Sequence, residues 1–275
     1  MPAAIVRAAT LASALALAAP AHAFCRTTTA SAPPGYDPVD AGCWTQGAPI
    51  GWTAGRVAYA LSANASRQVS LPDATRVAHL AFDSWNAARC PGGASPDVQT
   101  YDDGPVDIVS TPDCGADPCG SSGTTSRHAI VFDDDGWPHN DPANTLALTT
   151  ITFGSDSGVI LDARVEVNTY EHALSAEEPP PPHAFDLQAI LTHEAGHFLG
   201  LAHATDERSI MYAFYRPGAI ELTQDDVDGL CAIYPPAPSG GCSCRAAGAG
   251  ADVAALGVAG GALVALLARR RARRA

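Results

Sequence analysis

Residues 193–203 read HEAGHFLGLAH, and this stretch decides the interpretation of the whole chain. On a helix, His193 and His197 lie four residues apart on one face, so both imidazoles can reach a single metal ion. Glu194 follows the first histidine, where a carboxylate can accept a proton from a zinc-activated water. The pattern therefore predicts a zinc site on a helix, with Glu194 as the general base.

Gly200 allows a third histidine to join the site. His203 lies six residues beyond His197, and on a continuous helix it would point to the opposite side. Glycine readily adopts positive φ, so Gly200 is predicted to end the helix and reverse the chain. His203 then becomes the third ligand, and the fourth tetrahedral position stays open for water and substrate. Histidines spaced like the first pair also occur on ordinary helices, but the additional agreement at Gly200 and His203 argues against that reading.

The extended motif and the following Ser209-Ile210-Met211-Tyr212 turn resemble the metzincin zinc endopeptidases. Residues 222–234, LTQDDVDGLCAIY, are similar to the last helix of the matrixins, the peptidase M10-type branch. Met211-Tyr212 resembles the matrixin M-Y-P turn, although Ala213 replaces the proline. The resemblance is strong over residues 187–234 and loose over residues 50–170.

The resemblance implies an α+β fold of the zincin type. We expect a twisted, mostly parallel sheet of about five strands and three main helices, with the active-site cleft between an upper and a lower subdomain. It also implies that Met211 places an apolar floor beneath the ligands. Tyr212 and Tyr215 are expected to line the pocket for the residue after the scissile bond.

Alternating and β-branched runs predict strands at 56–61, 106–109, 129–132, 145–153 and 160–168. Helices are predicted at 71–89, after the capping residue Asp186, and after Thr223. The buried stripe of the first helix is predicted to comprise Val77, Leu80, Ala81, Ser84, Trp85 and Ala88. By resemblance, residues 145–153 form the edge strand that pairs with an extended substrate.

The charge is strongly acidic, with 29 Asp and Glu against 16 basic residues and a formal net charge of −13. This balance argues against a nucleic-acid partner and is compatible with calcium, which prefers oxygen ligands. The loop 133–141 supplies Asp133, Asp135 and Asp141 as possible calcium ligands. Its spacing does not match an EF-hand, and a solvated acidic loop is the alternative.

Residues 1–23 have an apolar run and end in Ala-His-Ala, which predicts a secretory signal peptide cut before Phe24. Residues 24–54 form an N-terminal extension before the peptidase domain at 55–235. Six cysteines lie in this mature part, at positions 25, 43, 90, 114, 119 and 231, and fifteen pairings are open. A Cys25–Cys43 disulfide is one prediction. The extension lacks the P-R-C-G-x-P-D cysteine switch of matrix metalloproteinases, so no latency mechanism is predicted.

The C-terminal tail is predicted to be a module separate from the peptidase domain. Residues 236–251 are a linker with Cys242 and Cys244, and residues 252–275 combine an apolar run with an arginine cluster. One interpretation is a transmembrane anchor with cytoplasmic arginines. The other is a resemblance to the C-terminal sorting tails of myxobacterial surface proteins, which are removed. Either places the domain outside the cytoplasm, secreted or anchored to the cell surface or outer envelope.

The sequence therefore predicts a zinc metalloendopeptidase with one catalytic Zn²⁺, possible Ca²⁺, and protein or peptide substrates. We expect a monomer that contacts a membrane only through its C-terminal segment. One alternative is a zinc-binding surface protein of the same fold without proteolytic turnover. It is disfavoured because metal binding alone does not require Glu194. A zinc hydrolase that acts on non-peptide amides is the other alternative.

Overall fold

The computed structural model describes residues 23–53, 55–107 and 128–237, together with a strand at 260–267. The helices are α1 (Pro38–Ala41), α2 (Leu71–Asn86), α3 (Leu187–Phe198) and α4 (Gln224–Ile233). The strands are β1 (Cys25–Arg26), β2 (Gly55–Leu61), β3 (Val98–Asp102), β4 (Ala129–Phe132), β5 (Thr145–Phe153), β6 (Ile160–Val167), β7 (Leu174–Ser175), β8 (Phe185–Asp186), β9 (Leu201–Ala202) and β10 (Gly260–Leu267).

The main sheet has the strand order β10-β5-β6-β4-β2-β3. β3, β2, β4 and β6 pair in parallel, whereas β5 runs antiparallel to β6. The predicted α+β class is confirmed, as is the mostly parallel sheet of five strands. The three main helices are α2, α3 and α4. β10 adds a sixth strand that the sequence did not indicate.

Helix α2 packs directly on the helix that carries the histidine motif. Its N-cap is Ser70, whose hydroxyl accepts a hydrogen bond from the Asp73 amide. Trp85 is buried, and its indole donates to the Thr192 carbonyl of α3 at 2.9 Å. The buried stripe differs from the prediction at two positions. Leu80 is 45% exposed and Ser84 is only partly buried, because the buried face is rotated around the helix toward Phe82.

The N-terminal extension packs into the domain next to the end of α3. β1 pairs antiparallel with β9, and the Thr27 amide donates to the Gly200 carbonyl at 3.0 Å. The predicted Cys25–Cys43 disulfide is present, and Cys90 pairs with Cys231. The predicted signal peptide, apart from Ala23, lies outside the described residues. So do Cys114, Cys119, Cys242 and Cys244.

Two strand predictions need correction. Strand β3 was not predicted, because its inward positions hold only Val98 and Thr100 and so give a weak apolar alternation. The predicted strand 106–109 is reduced, within the described residues, to a bridge between Val106 and Ser62. Residues 108 and 109 lie outside the described part.

The apolar segment of the tail lies on the edge of the sheet. Gly260–Leu267 pairs antiparallel with β5, and Val264 is in register with Thr149. Among the described residues, no helix has the length and apolar character needed to cross a bilayer. The structure therefore assigns part of the predicted membrane segment 252–275 to a strand.

Candidate metal centre

Helix α3 is fixed at its start by the predicted cap. The Asp186 carboxylate accepts hydrogen bonds from the Gln188 and Ala189 amides at 2.9 and 3.3 Å. Such a cap satisfies amides that lack partners at the start of a helix. From this point the helix is buried almost throughout, and Leu187, Ile190, Leu191 and Phe198 join the hydrophobic core as predicted. The histidine motif therefore stands on a rigid element.

The turn at Gly200 brings the third histidine to the first two. Gly200 has φ +92°, in the left-handed region that favours glycine. Ring centroids are 4.6 Å apart for His193 and His197, 5.3 Å for His193 and His203, and 4.9 Å for His197 and His203. One ligand nitrogen from each of the three rings lies within 4.8 Å of the others. Among the described residues, they form the one such group of three or more potential ligands.

Hydrogen bonds set two of the imidazoles in the tautomer that binds metal. His193 Nδ1 lies 2.7 Å from the Ile210 carbonyl, and His197 Nδ1 lies 2.8 Å from the Leu201 carbonyl. A carbonyl only accepts, so each Nδ1 carries the proton and each Nε2 presents a lone pair. Both Nε2 atoms are buried without a hydrogen-bond partner among the described residues.

The electrostatics of the rings fit a zinc ion. Burial lowers the pKa of His193 to about 4, and burial also lowers the pKa of His197 well below its ordinary value. Both imidazoles are therefore neutral at physiological pH, as metal ligands must be. Three converging imidazole nitrogens match the donor set of catalytic zinc sites.

Glu194 is completely buried beside these ligands. Thr149 of β5 donates a hydrogen bond from its hydroxyl to Oε2 of Glu194 at 2.5 Å. Oε1 has no hydrogen-bond partner among the described residues. Burial raises the pKa of Glu194 to about 8, and the Thr149 hydrogen bond opposes this rise. Burial therefore favours the proton-bound form of Glu194, and Oε1 is the carboxyl oxygen not engaged by Thr149.

The turn around Met211 forms the floor beneath the histidine helix. A Cβ placed on Gly196 would lie 2.2 Å from Met211 Sδ and 2.8 Å from Trp85 Cζ2, so the helix approaches both side chains closely. Asp226 of α4 is 1% exposed and accepts hydrogen bonds from Ser209 Oγ and from the Ile210 and Met211 amides. This carboxylate holds the turn in place.

The supporting roles of Thr149 and Asp226 were not predicted from the sequence. Thr149 was assigned only to an edge strand, although a threonine at an inward position of an apolar strand is a signal for a buried partner. Asp226 was interpreted only as an acid in the first turn of α4. The capping box that it forms with Thr223 could have marked it as a buried group.

The predicted pocket and calcium residues have different outcomes. Tyr212 and Tyr215 line a small pocket beside His193, and the Tyr215 hydroxyl accepts a hydrogen bond from the Asp186 amide at 2.9 Å. The three residues predicted as calcium ligands, Asp133, Asp135 and Asp141, do not form a metal-binding group with one another in the described part of the chain. Asp133 is buried, Asp135 pairs with the Arg67 guanidinium at 2.7 Å, and Asp141 adopts φ 57° in the same loop. Calcium binding there stays a prediction.

Replacing Gly200 by alanine is expected to weaken both the fold and zinc binding. The left-handed φ costs about 1–2 kcal/mol for an L-residue. The added Cβ would also lie 2.7 Å from the Ile50 carbonyl oxygen, so the turn that positions His203 must shift. Zinc affinity and melting temperature of the purified variant measure the effect.

Gly104→Ala is the matched control, because Gly104 has φ +82° and open space around the new Cβ. It should show the backbone cost without loss of zinc affinity. Equal zinc affinity in the Gly200 variant and the wild-type chain would contradict the role assigned to this turn.

Sequence comparison agrees with this geometry. The family model described as Matrixin matches residues 123–235. This part of the chain is therefore similar in sequence to the matrixins. It includes α3, the third histidine, the Met211 turn and α4, so the match covers every residue of the metal centre, together with Thr149.

Several curated relatives match parts of the chain. Metalloendoproteinase 1 of Glycine max is 46% identical over 57 residues, which are 20% of this chain and 19% of the relative. Interstitial collagenase of Bos taurus is 49% identical over 53 residues, 19% of this chain and 11% of the collagenase. Matrix metalloproteinase-20 of Homo sapiens is 33% identical over 105 residues, which are 37% of this chain and 20% of the relative. The chain spans about a fifth or less of the length of these relatives.

Proposed function

We propose that the matrixin-like domain is a zinc-dependent endopeptidase that hydrolyses peptide bonds with Glu194 as general base. The observation that carries the proposal is the convergence of three imidazoles, two with their Nε2 lone pairs oriented by carbonyl hydrogen bonds, beside a buried carboxylate. The names of the relatives, metalloendoproteinase and collagenase among them, support the same class of activity.

The chain's own residues supply binding and proton transfer. His193, His197 and His203 would hold the ion. Bound zinc would lower the pKa of a water molecule and polarise the carbonyl of the scissile bond. Glu194 accepts the proton of the attacking water through a carboxylate that burial makes basic, and then delivers a proton to the leaving amine.

Substrate recognition is proposed to use β5 and the pocket beside His193. An extended peptide would add to the edge of β5 by main-chain hydrogen bonds. This edge passes over the carboxylate, because Thr149 in the middle of the strand contacts Glu194. The pocket lined by Tyr212 and Tyr215 would then receive the side chain after the scissile bond.

In the structure, β10 pairs with the edge of β5 that is proposed to bind the substrate. Seven of the eight residues of β10 pair with consecutive residues of β5, from Phe153 to Ala147, and Leu267 pairs with Thr145 across a register shift. A peptide that pairs with the same edge must displace this strand. Removal of the tail, or its insertion into a membrane, would leave the edge open. Both interpretations of the tail are therefore compatible with an accessible site.

A chain that ends at residue 237 is expected to hydrolyse peptides about tenfold faster than the full chain at subsaturating substrate. If β10 covers the edge in about nine chains out of ten, only the remaining tenth can bind substrate. Among the residues whose side chains the structure describes, those of the hydrophobic core lie between positions 50 and 234, and the shortened chain keeps all of them. The ratio of kcat/KM for the two chains measures the effect.

A synthetic peptide with the sequence of residues 258–269 should inhibit the shortened chain, and a scrambled peptide serves as its control. Equal kcat/KM for the two chains, without inhibition by the peptide, would show that β10 does not compete with substrate.

We also propose that the domain acts outside the cytoplasm, secreted or tethered by its tail. The signal-peptide pattern at residues 1–23 and the disulfides Cys25–Cys43 and Cys90–Cys231 support an oxidising, extracytoplasmic compartment. Calcium at the loop 133–141, a monomeric state and membrane contact through the C-terminal segment belong to the same proposal.

Cleavage profiling tests the proposed activity. The chain ending at residue 237 is loaded with one zinc ion and incubated with a proteome-derived peptide library, and new termini are identified by mass spectrometry. We expect cleavage that a chelator abolishes and added zinc restores. Zinc binding without any cleavage would favour the zinc-binding surface protein of the same fold, whereas cleavage of non-peptide amides alone would favour the other hydrolase.

A further inference from the structure

We propose that Thr149 is a positioning residue for the reaction: its hydroxyl holds the Glu194 carboxylate so that Oε2 is bound and Oε1 is available for proton transfer. The inference rests on the proposed function and names a residue of β5 as part of the machinery that prepares the general base. The proposal concerns the orientation of the Glu194 side chain. Thr149 and Glu194 lie 45 positions apart in the sequence.

The contact is short and completely enclosed. Thr149 and Glu194 are both 0% exposed, and the donor and acceptor oxygens are 2.5 Å apart. A distance of 2.5 Å is at the short end of the range for O–H···O hydrogen bonds in proteins. Because both side chains are enclosed, this bond constrains the direction of the carboxylate.

The position of Thr149 in the strand shows that the hydroxyl has a specific partner. Side chains two residues apart along a strand face the same side of the sheet. The neighbours of Thr149 on this side, Ala147 and Ile151, are apolar and belong to the hydrophobic core. A hydroxyl buried among them costs free energy unless it is hydrogen-bonded, and the carboxylate of Glu194 is its close acceptor.

The consequence for Glu194 follows from its flexibility. A glutamate side chain has three torsions, and a buried carboxylate without a donor would reorient to find one. With Oε2 bound to Thr149, the plane and direction of the carboxylate are defined before substrate arrives. Pre-orientation of a catalytic group accelerates the chemical step. Loss of the Thr149 hydroxyl should therefore lower kcat and leave substrate binding unchanged.

Three variants of the zinc-loaded chain ending at residue 237 test the proposal, alongside the same variants in the full chain. Thr149→Val keeps the shape of the side chain and removes the hydroxyl, whereas Thr149→Ser keeps the hydroxyl. Thr100→Val is the matched control, since Thr100 is also a buried threonine of a sheet strand, but it lies in β3 at the opposite end of the sheet and its hydroxyl donates to Asn86. We expect Thr149→Val to lower kcat by about tenfold or more with KM and zinc content unchanged. Thr149→Ser should retain most of the activity, and Thr100→Val should match the wild type in kcat.

A structural measurement separates this proposal from the proposed function. Crystal structures of the wild-type chain and of the Thr149→Val variant report the orientation of the Glu194 carboxylate without reference to turnover. A carboxylate that turns or becomes multiply oriented in the variant supports the proposal, even if no peptide is cleaved by the wild type. An unchanged carboxylate overturns it, and so does a Thr149→Val variant with wild-type kcat, or a Thr149→Ser variant as impaired as Thr149→Val.

Discussion

Glu194→Gln is expected to reduce kcat/KM for peptide hydrolysis by about 10²- to 10⁴-fold while the chain still binds one zinc ion. The amide is close to the carboxylate in size, and its carbonyl oxygen can still accept the hydrogen bond from Thr149. It cannot accept a proton from the attacking water. The loss should therefore fall on the chemical step, and steady-state kinetics with a peptide found by cleavage profiling measures it.

Zinc content and melting temperature of the Glu194→Gln variant are the controls for this experiment. Glutamine is uncharged and close to glutamate in size, so it fits this fully buried site without the cost of burying a charge. We therefore expect a melting temperature equal to or above that of the wild type. Substantial hydrolysis by a zinc-loaded Glu194→Gln chain would remove Glu194 from the role of general base.

His203→Ala is expected to weaken zinc binding by at least about 100-fold. Loss of a group that merely orients a ligand typically costs 10- to 100-fold in metal affinity, and loss of the ligand itself should cost at least as much. Two imidazoles from one helix remain, His193 and His197, and they leave half of a tetrahedral coordination shell to solvent. Competition with a chromogenic chelator measures the affinity.

His79→Ala is the control for this variant, because His79 is an exposed histidine of α2 that pairs with Asp102 at 2.9 Å. It should bind zinc as the wild type does. Added zinc should raise the melting temperature of the wild type and of this control, since a ligand that binds only the folded state stabilises it. Unchanged zinc affinity in His203→Ala would exclude His203 as a ligand.

Local patterns predicted most of the elements that build the site. The carboxylate of Asp186 and the hydroxyl of Thr223 cap the helices that the sequence indicated, because a cap involves residues two or three positions apart. The alternation of residues 145–153 predicted β5, and the glycine at position 200 predicted the reversal that joins the third histidine. These features depend on neighbours in the chain and are readable from it.

The features that the sequence did not predict correctly all depend on contacts with distant parts of the chain. Leu80 was assigned to the core and is exposed, because the face that a helix buries is chosen by what packs against it; here Trp85 and Phe82 meet α3 and the sheet. β3 was missed because its pairing with β2 compensates for a weak pattern of its own. The pairings of Cys90 with Cys231 and of β10 with β5 join segments more than 100 residues apart.

The sequence alone predicted the convergence of three histidines, the glutamate beside them and the class of fold, because spacing along one helix and one glycine turn dictates which side chains can converge. Only the tertiary structure decided how the site is supported. Thr149 reaches Glu194 across 45 positions, Asp226 reaches back to the Met211 turn, and β10 covers the edge of β5. Such contacts arise from the packing of sheet on helix and helix on turn, and no local periodicity encodes which distant partner a buried polar group will meet.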